Sequence, residues 1–444
     1  MYRIRTGNLV QRLNLSRNYT RKSTKQTRRT GLKIALCFSI PYTGYALYVF
    51  CSTNYEITRR ERQLADKDDL EFKSTLVKYS PFQVLGRFEN PFNEYRIQTV
   101  FEFFFNRVVE VFQRNRGGLP RSKEQMDELM PIHKPTWVTK GVLDDSLNEI
   151  EVEIKPFSSD EKAANTEPVK RLYCTWLGQS CSVIILDKLK ILTDPLFSKH
   201  LIHPTFGPQR ITDMPSKIED VPTPDLILVS HNHPDHLDEK SLKFWGDDHP
   251  QKPLWIVPKG LASYMMMNNV SNFTELSWWE TCQVKIKGTQ EDTIYQISST
   301  PAMHWSGRSV LDANRSLWCS FIVHKGNKPV LFHAGDTGFV HDLYKRIVKK
   351  YGSGVRLALL PCGQYCPEWH QRPRHINPAE VIKIMNDLDA QTALGIHWGT
   401  FLLSGEYFRE PKERLEFLSE FNELKDRCFC PELGETLDFS NNVE

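Results

Sequence analysis

Four side chains that can bind a divalent metal lie within six consecutive positions of this sequence: His231, His233, Asp235 and His236. They directly follow the predicted strand Asp225–Ser230, so they occupy the loop at a strand end. Imidazole nitrogens and carboxylate oxygens are the ligands that a borderline ion such as zinc accepts. A lone histidine is more often structural, but four such residues in one loop favour metal binding. Because Pro234 turns the chain, this one loop can serve two adjacent metals.

One loop cannot complete two metal sites, so further ligands must come from elsewhere in the chain. Three candidates each stand near the end of an apolar run: His304, Asp336 and His397. Asp336 lies between Gly335 and Gly338, and glycine lets the backbone bring a carboxylate close to a bound ion. Together these residues predict a hydrolytic centre with two metals.

The elements that must position these loops are short apolar runs that end in polar clusters and predict strands, several of them buried on both faces. They are Ser182–Leu186, Lys190–Leu192, Asp225–Val229, Pro253–Val257, Val330–Phe332, Leu357–Leu360 and Ala393–Ile396. Helical patterns cover Pro378–Leu388 and Lys412–Leu424. The early strands are too closely spaced for crossover helices, which favours an α/β sandwich of antiparallel strands and helices over a doubly wound sheet.

The order of these motifs resembles the metallo-β-lactamase superfamily and, within it, the N-acylphosphatidylethanolamine-hydrolysing phospholipase D family. The resemblance spans about Arg87 to Glu435, and it implies an αββα sandwich. Together with the basic leader it resembles the fungal mitochondrial branch of that family. The segments that carry it include Thr175-Trp176-Leu177-Gly178, Leu192-Thr193-Asp194-Pro195, Trp278-Trp279-Glu280 and Ile396–Phe401.

The resemblance also implies a role for each candidate residue. His231, His233 and His304 would bind one Zn²⁺, while Asp235, His236 and His397 would bind a second. Asp336 would bridge the two ions, and His375 would lie near the phosphate of the substrate. Asp235, Asp336 and His375 are therefore the predicted catalytic residues. We expect Asp194 to orient the strand-end loop through hydrogen bonds.

The reaction that the resemblance implies is phosphodiester hydrolysis of N-acylphosphatidylethanolamine to N-acylethanolamine and phosphatidic acid. Two zinc ions make hydroxide available near neutral pH, and His375 would donate a hydrogen bond or a proton. The chain departs from the family pattern at Gln179, where a histidine is usual. Glutamine forms hydrogen bonds but does not titrate, so we expect activity to survive with an altered substrate orientation or pH dependence.

The N-terminal stretch is basic and contains no acid from Met1 to Tyr55. Residues 1–30 predict a mitochondrial transit peptide, with a basic cytoplasmic tail as the alternative. Residues 31–51 predict a transmembrane helix, and the charge before it predicts that the catalytic part faces the intermembrane space from the inner membrane. Residues 52–170 form an extension ahead of the predicted catalytic domain, which spans residues 171–435.

The extension contains a Phe-rich segment, Gln98–Arg114, in which apolar residues recur at helical spacing. It predicts a helix buried on one side, and two hypotheses remain open for its apolar face. The face packs on the domain core, or it lies on the membrane and helps a lipid to enter.

The composition of the chain limits which substrates and partners we expect. The net charge is only +3, and no basic groove supports a nucleic-acid partner. The ten cysteines form no metal or disulfide framework. We expect a phospholipid substrate held in a membrane, and a homodimer remains open. The alternatives are hydrolysis of another phosphodiester or a lactone, or an inactive membrane scaffold, which a complete ligand set disfavours.

Overall fold

The computed structural model describes residues 7–65, 72–112, 116–137, 150–157, 169–203, 207–287, 293–309 and 311–440. The chain divides into two compact units, Met1–Tyr55 and Glu56–Glu444. The predicted extension, residues 52–170, lies almost wholly within the second unit together with the predicted catalytic domain.

The helices of the described residues vary from one turn to a helix of 58 residues. They are α1 Gly7–Leu64, α2 Phe72–Tyr79, α3 Val100–Phe112, α4 Lys123–Leu129, α5 Glu239–Phe244, α6 Ala262–Met267, α7 Leu343–Tyr351, α8 Glu368–Gln371, α9 Pro378–Asp387 and α10 Glu410–Phe421. Short 3₁₀ turns cover Arg116–Gly118 and Ile218–Asp220.

The strands of the described residues include every strand that the sequence predicted. They are β1 Phe82–Val84, β2 Arg87–Glu89, β3 Ile150–Ile154, β4 Leu172–Gly178, β5 Cys181–Leu186, β6 Leu189–Thr193, β7 Leu226–Leu228, β8 Leu254–Pro258, β9 Phe273–Leu276, β10 Thr281–Ile286, β11 Thr293–Thr300, β12 Ser320–Lys325, β13 Lys328–His333, β14 Leu357–Pro361, β15 Thr392–Ile396, β16 Cys428–Phe429 and β17 Thr436–Asp438.

Two large sheets dominate the described part of the second unit. One has the strand order β17-β4-β5-β6-β7-β8-β9, and the other has the order β16-β15-β14-β13-β12-β11-β10-β3. Each sheet is antiparallel at one end and parallel at the other. The parallel strands are β6 to β9 in the first sheet and β13 to β16 in the second. The predicted α/β sandwich is confirmed, and helices α5 to α10 lie between successive parallel strands, in the crossover connections that parallel strands require.

The two sheets pack face to face. Along β7 and β8, Leu226, Leu228 and Ile256 belong to a buried cluster that also contains Phe321 and Phe332 of the other sheet. The alternate side chains of these strands pack instead with α5 and α6 in a second buried cluster. Helix α9 packs against β14 and β15, and α10 packs against α9 and β16. Both sheets are therefore covered by helices, in the αββα order.

The predicted transmembrane helix is not supported. None of the helices in the described residues combines the length and the hydropathy that a membrane span requires. The stretch 31–51 forms part of the long helix α1, and its apolar residues are interrupted by Ser39, Pro41, Thr43 and Gly44.

Helix α3 confirms the helix predicted from the Phe-rich segment, but not the expected burial of its apolar face. Phe104 is 62% exposed and Phe105 is 61% exposed, and Phe101, Val108 and Val109 are exposed as well. Asn106, on the opposite side, is buried. Among the side chains that the structure describes, this helix turns its apolar face to solvent. Residues 113 and 114 of the predicted segment lie outside the described residues.

Candidate metal centre

The predicted ligands lie on loops that leave one edge of the two sheets. The His231 loop follows β7, Asp336 follows β13 and His397 follows β15 directly. These strands belong to the parallel parts of the sheets, whose carboxyl ends meet at one edge, where open α/β sheets bind their ligands.

His304 comes from the loop that follows the antiparallel strand β11. This loop is tied to the loop of Asp336, because Gly338 N donates to Met303 O at 2.8 Å and Met303 N donates to Thr337 Oγ1 at 3.0 Å. The adjacent residue, His304, is thereby held beside Asp336, with His304 Nε2 lying 3.6 Å from Asp336 Oδ2.

The first group of converging side chains consists of His231, His233 and His304. His233 Nδ1 lies 2.7 Å from His231 Nε2 and 3.3 Å from His304 Nε2. A neutral imidazole has a single N–H, so three converging ring nitrogens cannot all satisfy one another. A cation can accept a lone pair from each of them, which makes this arrangement suitable for a metal ion.

The second group consists of Asp235, His236, Asp336 and His397. His236 Nε2 and His397 Nε2 each lie 3.6 Å from Asp235 Oδ2, and the two ring nitrogens lie 3.2 Å apart. This set offers two imidazole and two carboxylate ligands, all buried. It is a second donor set of the kind that a divalent ion such as zinc accepts.

Asp336 lies between the two groups. Its Oδ2 atom is 3.9 Å from His231 Nε2 and 3.2 Å from His236 Nε2, and its Oδ1 atom is 3.1 Å from His397 Nε2. A carboxylate in this position can bridge two cations.

Asp194 lies behind the ligands and contacts the second group. Its Oδ2 accepts hydrogen bonds from Ser230 Oγ at 2.8 Å, His236 Nδ1 at 2.9 Å and His333 Nε2 at 2.8 Å, and Oδ1 accepts Ser230 N at 2.7 Å. The bond to His236 Nδ1 leaves Nε2 facing the cluster, which is the usual arrangement around a ligating histidine. The orienting role that the sequence predicted for Asp194 agrees with this geometry.

The partner histidine, His333, was missed by sequence reasoning. It lies at the end of β13 and is completely buried. A single histidine at the end of an apolar run carries no spacing signal, so its contact with Asp194 could be found only from the fold.

Charges within the cluster divide the histidines into two classes. Burial and the rings of His236 and His233 lower the pKa of His231 well below its usual value. Burial lowers the pKa of His233 to about 3, and burial together with His231 lowers the pKa of His304. These imidazoles are therefore neutral at physiological pH, as metal ligands must be.

In the second group of ligands the pKa of each histidine is raised instead of lowered. Burial disfavours the imidazolium form of His236, but nearby carboxylates, above all Asp336 and Asp235, raise the pKa of His236 well above its usual value. Burial is likewise outweighed at His397, where Asp336 and Asp235 raise the pKa to about 9. The carboxylates thus require positive charge in the cluster. Protons supply it in the metal-free protein, and a bound cation would replace them.

Two more side chains reach the cluster, His375 and Gln179. His375 is buried, and its Nδ1 lies 3.9 Å from Asp336 Oδ2, with no hydrogen-bond partner among the described residues. Gln179 Nε2 donates to Asp235 Oδ2 at 2.9 Å and lies 2.9 Å from His397 Nε2. The residue that departs from the family pattern therefore contacts two of the predicted metal ligands.

Three residues of this centre have strained backbone conformations. Gln179, Asp194 and His397 adopt φ angles of 51°, 36° and 65°, a region that costs a residue with a side chain about 1–3 kcal/mol. Gly335 has a φ of 59°, and a Cβ atom there would lie 2.4 Å from the Cβ of Ser230. Glycine is required at this close approach, which brings the loop of Asp336 against the loop of His231.

Comparison with known proteins agrees with the site. A model described as the beta-lactamase superfamily domain matches residues 190–398. The chain is 57% identical over 432 residues to the Saccharomyces cerevisiae protein named N-acyl-phosphatidylethanolamine-hydrolyzing phospholipase D, mitochondrial, covering 94% of this chain and 90% of that protein. It is 32% identical over 338 residues to N-acyl-phosphatidylethanolamine-hydrolyzing phospholipase D 1 of Caenorhabditis elegans, covering 74% of this chain and 86% of that protein. The chain therefore belongs to the N-acylphosphatidylethanolamine-hydrolysing phospholipase D family of the metallo-β-lactamase superfamily.

Proposed function

We propose that this chain is a zinc-dependent phosphodiesterase that hydrolyses N-acylphosphatidylethanolamine to N-acylethanolamine and phosphatidic acid. The observation that carries the proposal is the convergence of all seven predicted ligands into two adjoining groups that share Asp336. The names of the two relatives support the choice of substrate.

In this proposal two zinc ions are held per chain. One ion would be held by His231, His233 and His304, and the other would be held by Asp235, His236 and His397. Asp336 would bind both ions. Paired zinc ions lower the pKa of bound water and neutralise charge on phosphate oxygens. In this proposal His375 donates a hydrogen bond to the phosphate of the substrate. Burial lowers the pKa of His375 to about 3, so the neutral ring acts as a hydrogen-bond donor at physiological pH.

The exposed apolar face of α3 supports a substrate that stays in a membrane. Arg96 joins α3 to the loop ahead of the metal centre, because its Nη1 donates to Glu102 Oε1 at 2.5 Å and its Nη2 donates to Trp369 O at 3.1 Å. Trp369, itself 53% exposed, begins the segment that ends at His375. A bilayer against α3 would bury its aromatic side chains and would bring the lipid headgroup towards the cluster.

Vesicle binding tests the role of this face. Replacing both Phe105 and Val108 by serine should weaken sedimentation with phosphatidylethanolamine vesicles about a hundredfold or more, because burial of each side chain contributes about 1.5 kcal/mol or more. The same replacement at Phe417, which is 69% exposed on α10, serves as the control. Equal vesicle binding by the α3 variant and the control variant would remove this support.

The proposed location is the mitochondrion. The acid-free leader and the mitochondrial relative support it. Attachment to the inner membrane with the catalytic part facing the intermembrane space is a finer prediction that rests on the charge pattern. A C-terminal tag should become protease-sensitive when the outer membrane is opened by swelling, and a tag that stays protected would contradict the orientation.

A direct assay tests the reaction. The full chain, purified in detergent and loaded with zinc, is offered N-acylphosphatidylethanolamine, phosphatidylcholine and a lactone. We expect release of N-acylethanolamine from the first lipid, abolished by a chelator. Asp336→Asn should lose metal content and rate together, because one carboxylate serves both groups. Turnover of the lactone alone would favour the alternative hydrolase, and activity that survives metal removal would contradict the mechanism.

A further inference from the structure

Arg374 lies beside His375 at the border of the metal cluster. Its carbonyl oxygen lies 2.9 Å from His304 Nδ1, which fixes that ring with Nε2 facing the cluster. Its side chain is only partly buried, whereas His304 and His397 are at most 2% exposed. Arg374 therefore stands where the buried cluster meets solvent.

A tryptophan fixes the guanidinium group in this place. The Cζ atom of Arg374 lies 4.9 Å from the ring centroid of Trp305, and the ring of Trp305 lies 4.3 Å from that of His233. This is a cation–π contact, in which the ring attracts the cation that lies over it. The charge reaches the cluster as well. Burial lowers the pKa of His233 and His375, and the positive charge of Arg374 contributes to both shifts.

The guanidinium is not paired with an acid in the described part of the chain. Its buried Nε has no hydrogen-bond partner there. Glu102, the carboxylate whose charge acts on Arg374, is already bonded to Arg96. Arg346 is different, because this buried arginine lies 2.7 Å from a carboxylate oxygen of Asp342. An uncompensated buried donor costs stability, so its retention beside a reaction centre points to a ligand.

We propose that Arg374 binds the phosphate group of the lipid substrate at the border of the metal centre, an inference that rests on the proposed function. The planar guanidinium presents N–H donors in a fork that matches two phosphate oxygens. With its Cζ over the ring of Trp305, the group still has a buried N–H donor that no partner in the described part of the chain accepts. Arg374 is thus a substrate-binding residue that lies outside the predicted metal ligands.

The experiment compares Arg374→Gln and Arg374→Lys with Arg372→Gln in the full-length, zinc-loaded protein. Arg372 lies on the same loop, but its side chain is 71% exposed, which makes it a matched control. Metal content and thermal stability are measured first. We then measure kcat and KM for N-acylphosphatidylethanolamine, and the binding of inorganic phosphate by calorimetry.

Arg374→Gln should keep its metal and raise KM about tenfold to a hundredfold, the range for one lost charged hydrogen bond. Phosphate binding should weaken by a similar factor, Arg374→Lys should recover part of both effects, and Arg372→Gln should resemble the wild type. Loss of metal with unchanged KM would mean a structural role and overturn the proposal. Weaker phosphate binding with unchanged lipid KM would restrict the site to free phosphate, and would overturn it too. If the wild type does not hydrolyse the lipid, the proposed function fails whatever the variants bind.

Discussion

Asp194 should decide whether the second group of ligands can hold its metal. Its buried carboxylate accepts four hydrogen bonds, two from Ser230, one from His236 and one from His333. Asp194→Asn preserves the size of the side chain but removes its charge and replaces one oxygen by a donor. Either orientation of the amide then places an NH₂ group against an N–H or O–H donor.

The expected changes in metal affinity and in the free energy of unfolding follow from these contacts. Loss of an outer partner of a ligating histidine typically lowers metal affinity about 10- to 100-fold. In the metal-free protein, His236 is protonated and paired with Asp194 at 2.9 Å. Breaking a buried charged pair costs about 3–5 kcal/mol. We therefore expect Asp194→Asn to weaken metal binding and to lower the free energy of unfolding of the metal-free protein.

The assay measures zinc affinity by competition with a chromophoric chelator and unfolding by urea. Asp187→Asn is the control, because its carboxylate also accepts two backbone N–H groups and pairs with Lys325 at 2.5 Å. Asp187 does not touch the cluster, so the zinc affinity of the Asp187→Asn variant should equal that of the wild type. Ser230→Ala, which removes a single donor from Asp194, should give a smaller effect. The reasoning is refuted if Asp194→Asn binds zinc as tightly as Asp187→Asn.

Three further perturbations test other parts of the centre. Because the pKa of His397 is about 9 in the metal-free protein, zinc must displace its proton. Affinity should be greatest above that pH and fall about tenfold per unit as the pH drops below it, and affinity that does not change with pH, after correction for the chelator, would contradict this. Gln179→Ala removes the hydrogen bond to Asp235 and should weaken zinc binding about tenfold, whereas unchanged zinc affinity and kcat would show that the contact is dispensable. Gly335→Ala should cost about 2–4 kcal/mol in urea unfolding, since a Cβ would lie 2.4 Å from a neighbouring side chain at a positive φ. Gly354→Ala, with nothing within 4 Å of its Cβ, should cost less, and equal losses would show that crowding is not the cause.

The strands and the ligand loop were predictable because they depend on local signals. A buried strand has an apolar run of known length, and the motif from His231 to His236 places four donors in one loop. Three distant ligands, His304, Asp336 and His397, were found through the order of motifs, since a lone histidine or aspartate has no spacing of its own. The structure supplies a physical reason for two of them, since Asp336 and His397 follow parallel strands whose carboxyl ends share one edge. His304 follows an antiparallel strand, and its loop is held against the loop of Asp336 by hydrogen bonds.

Other features could not be predicted because they depend on tertiary contacts between distant residues. Gln179 and Asp235 are 56 positions apart, and Gln179 lies at a positive φ in the turn after β4, so their contact depends on the tertiary fold. The role proposed for Arg374 depends on its contact with the ring of Trp305, which comes from a distant part of the chain. Helix α3 shows a different limit, since apolar periodicity identifies a face without identifying what covers it. Its periodicity left packing on the domain core and contact with a membrane both open, and the described side chains of that face are exposed.

Electrostatic interactions connect the carboxylates, the proposed metal ions and Arg374. The carboxylates Asp336 and Asp235 favour cations strongly enough to keep His236 and His397 protonated without a metal. Zinc would displace those protons, and a phosphate group would then meet positive charge on the ions and on Arg374. Since Arg374 keeps its charge at any physiological pH, substrate binding by this group should depend little on pH. Metal binding, in contrast, should depend on pH strongly. The proposed enzyme would therefore lose activity in acid by losing its metal before it loses its affinity for phosphate.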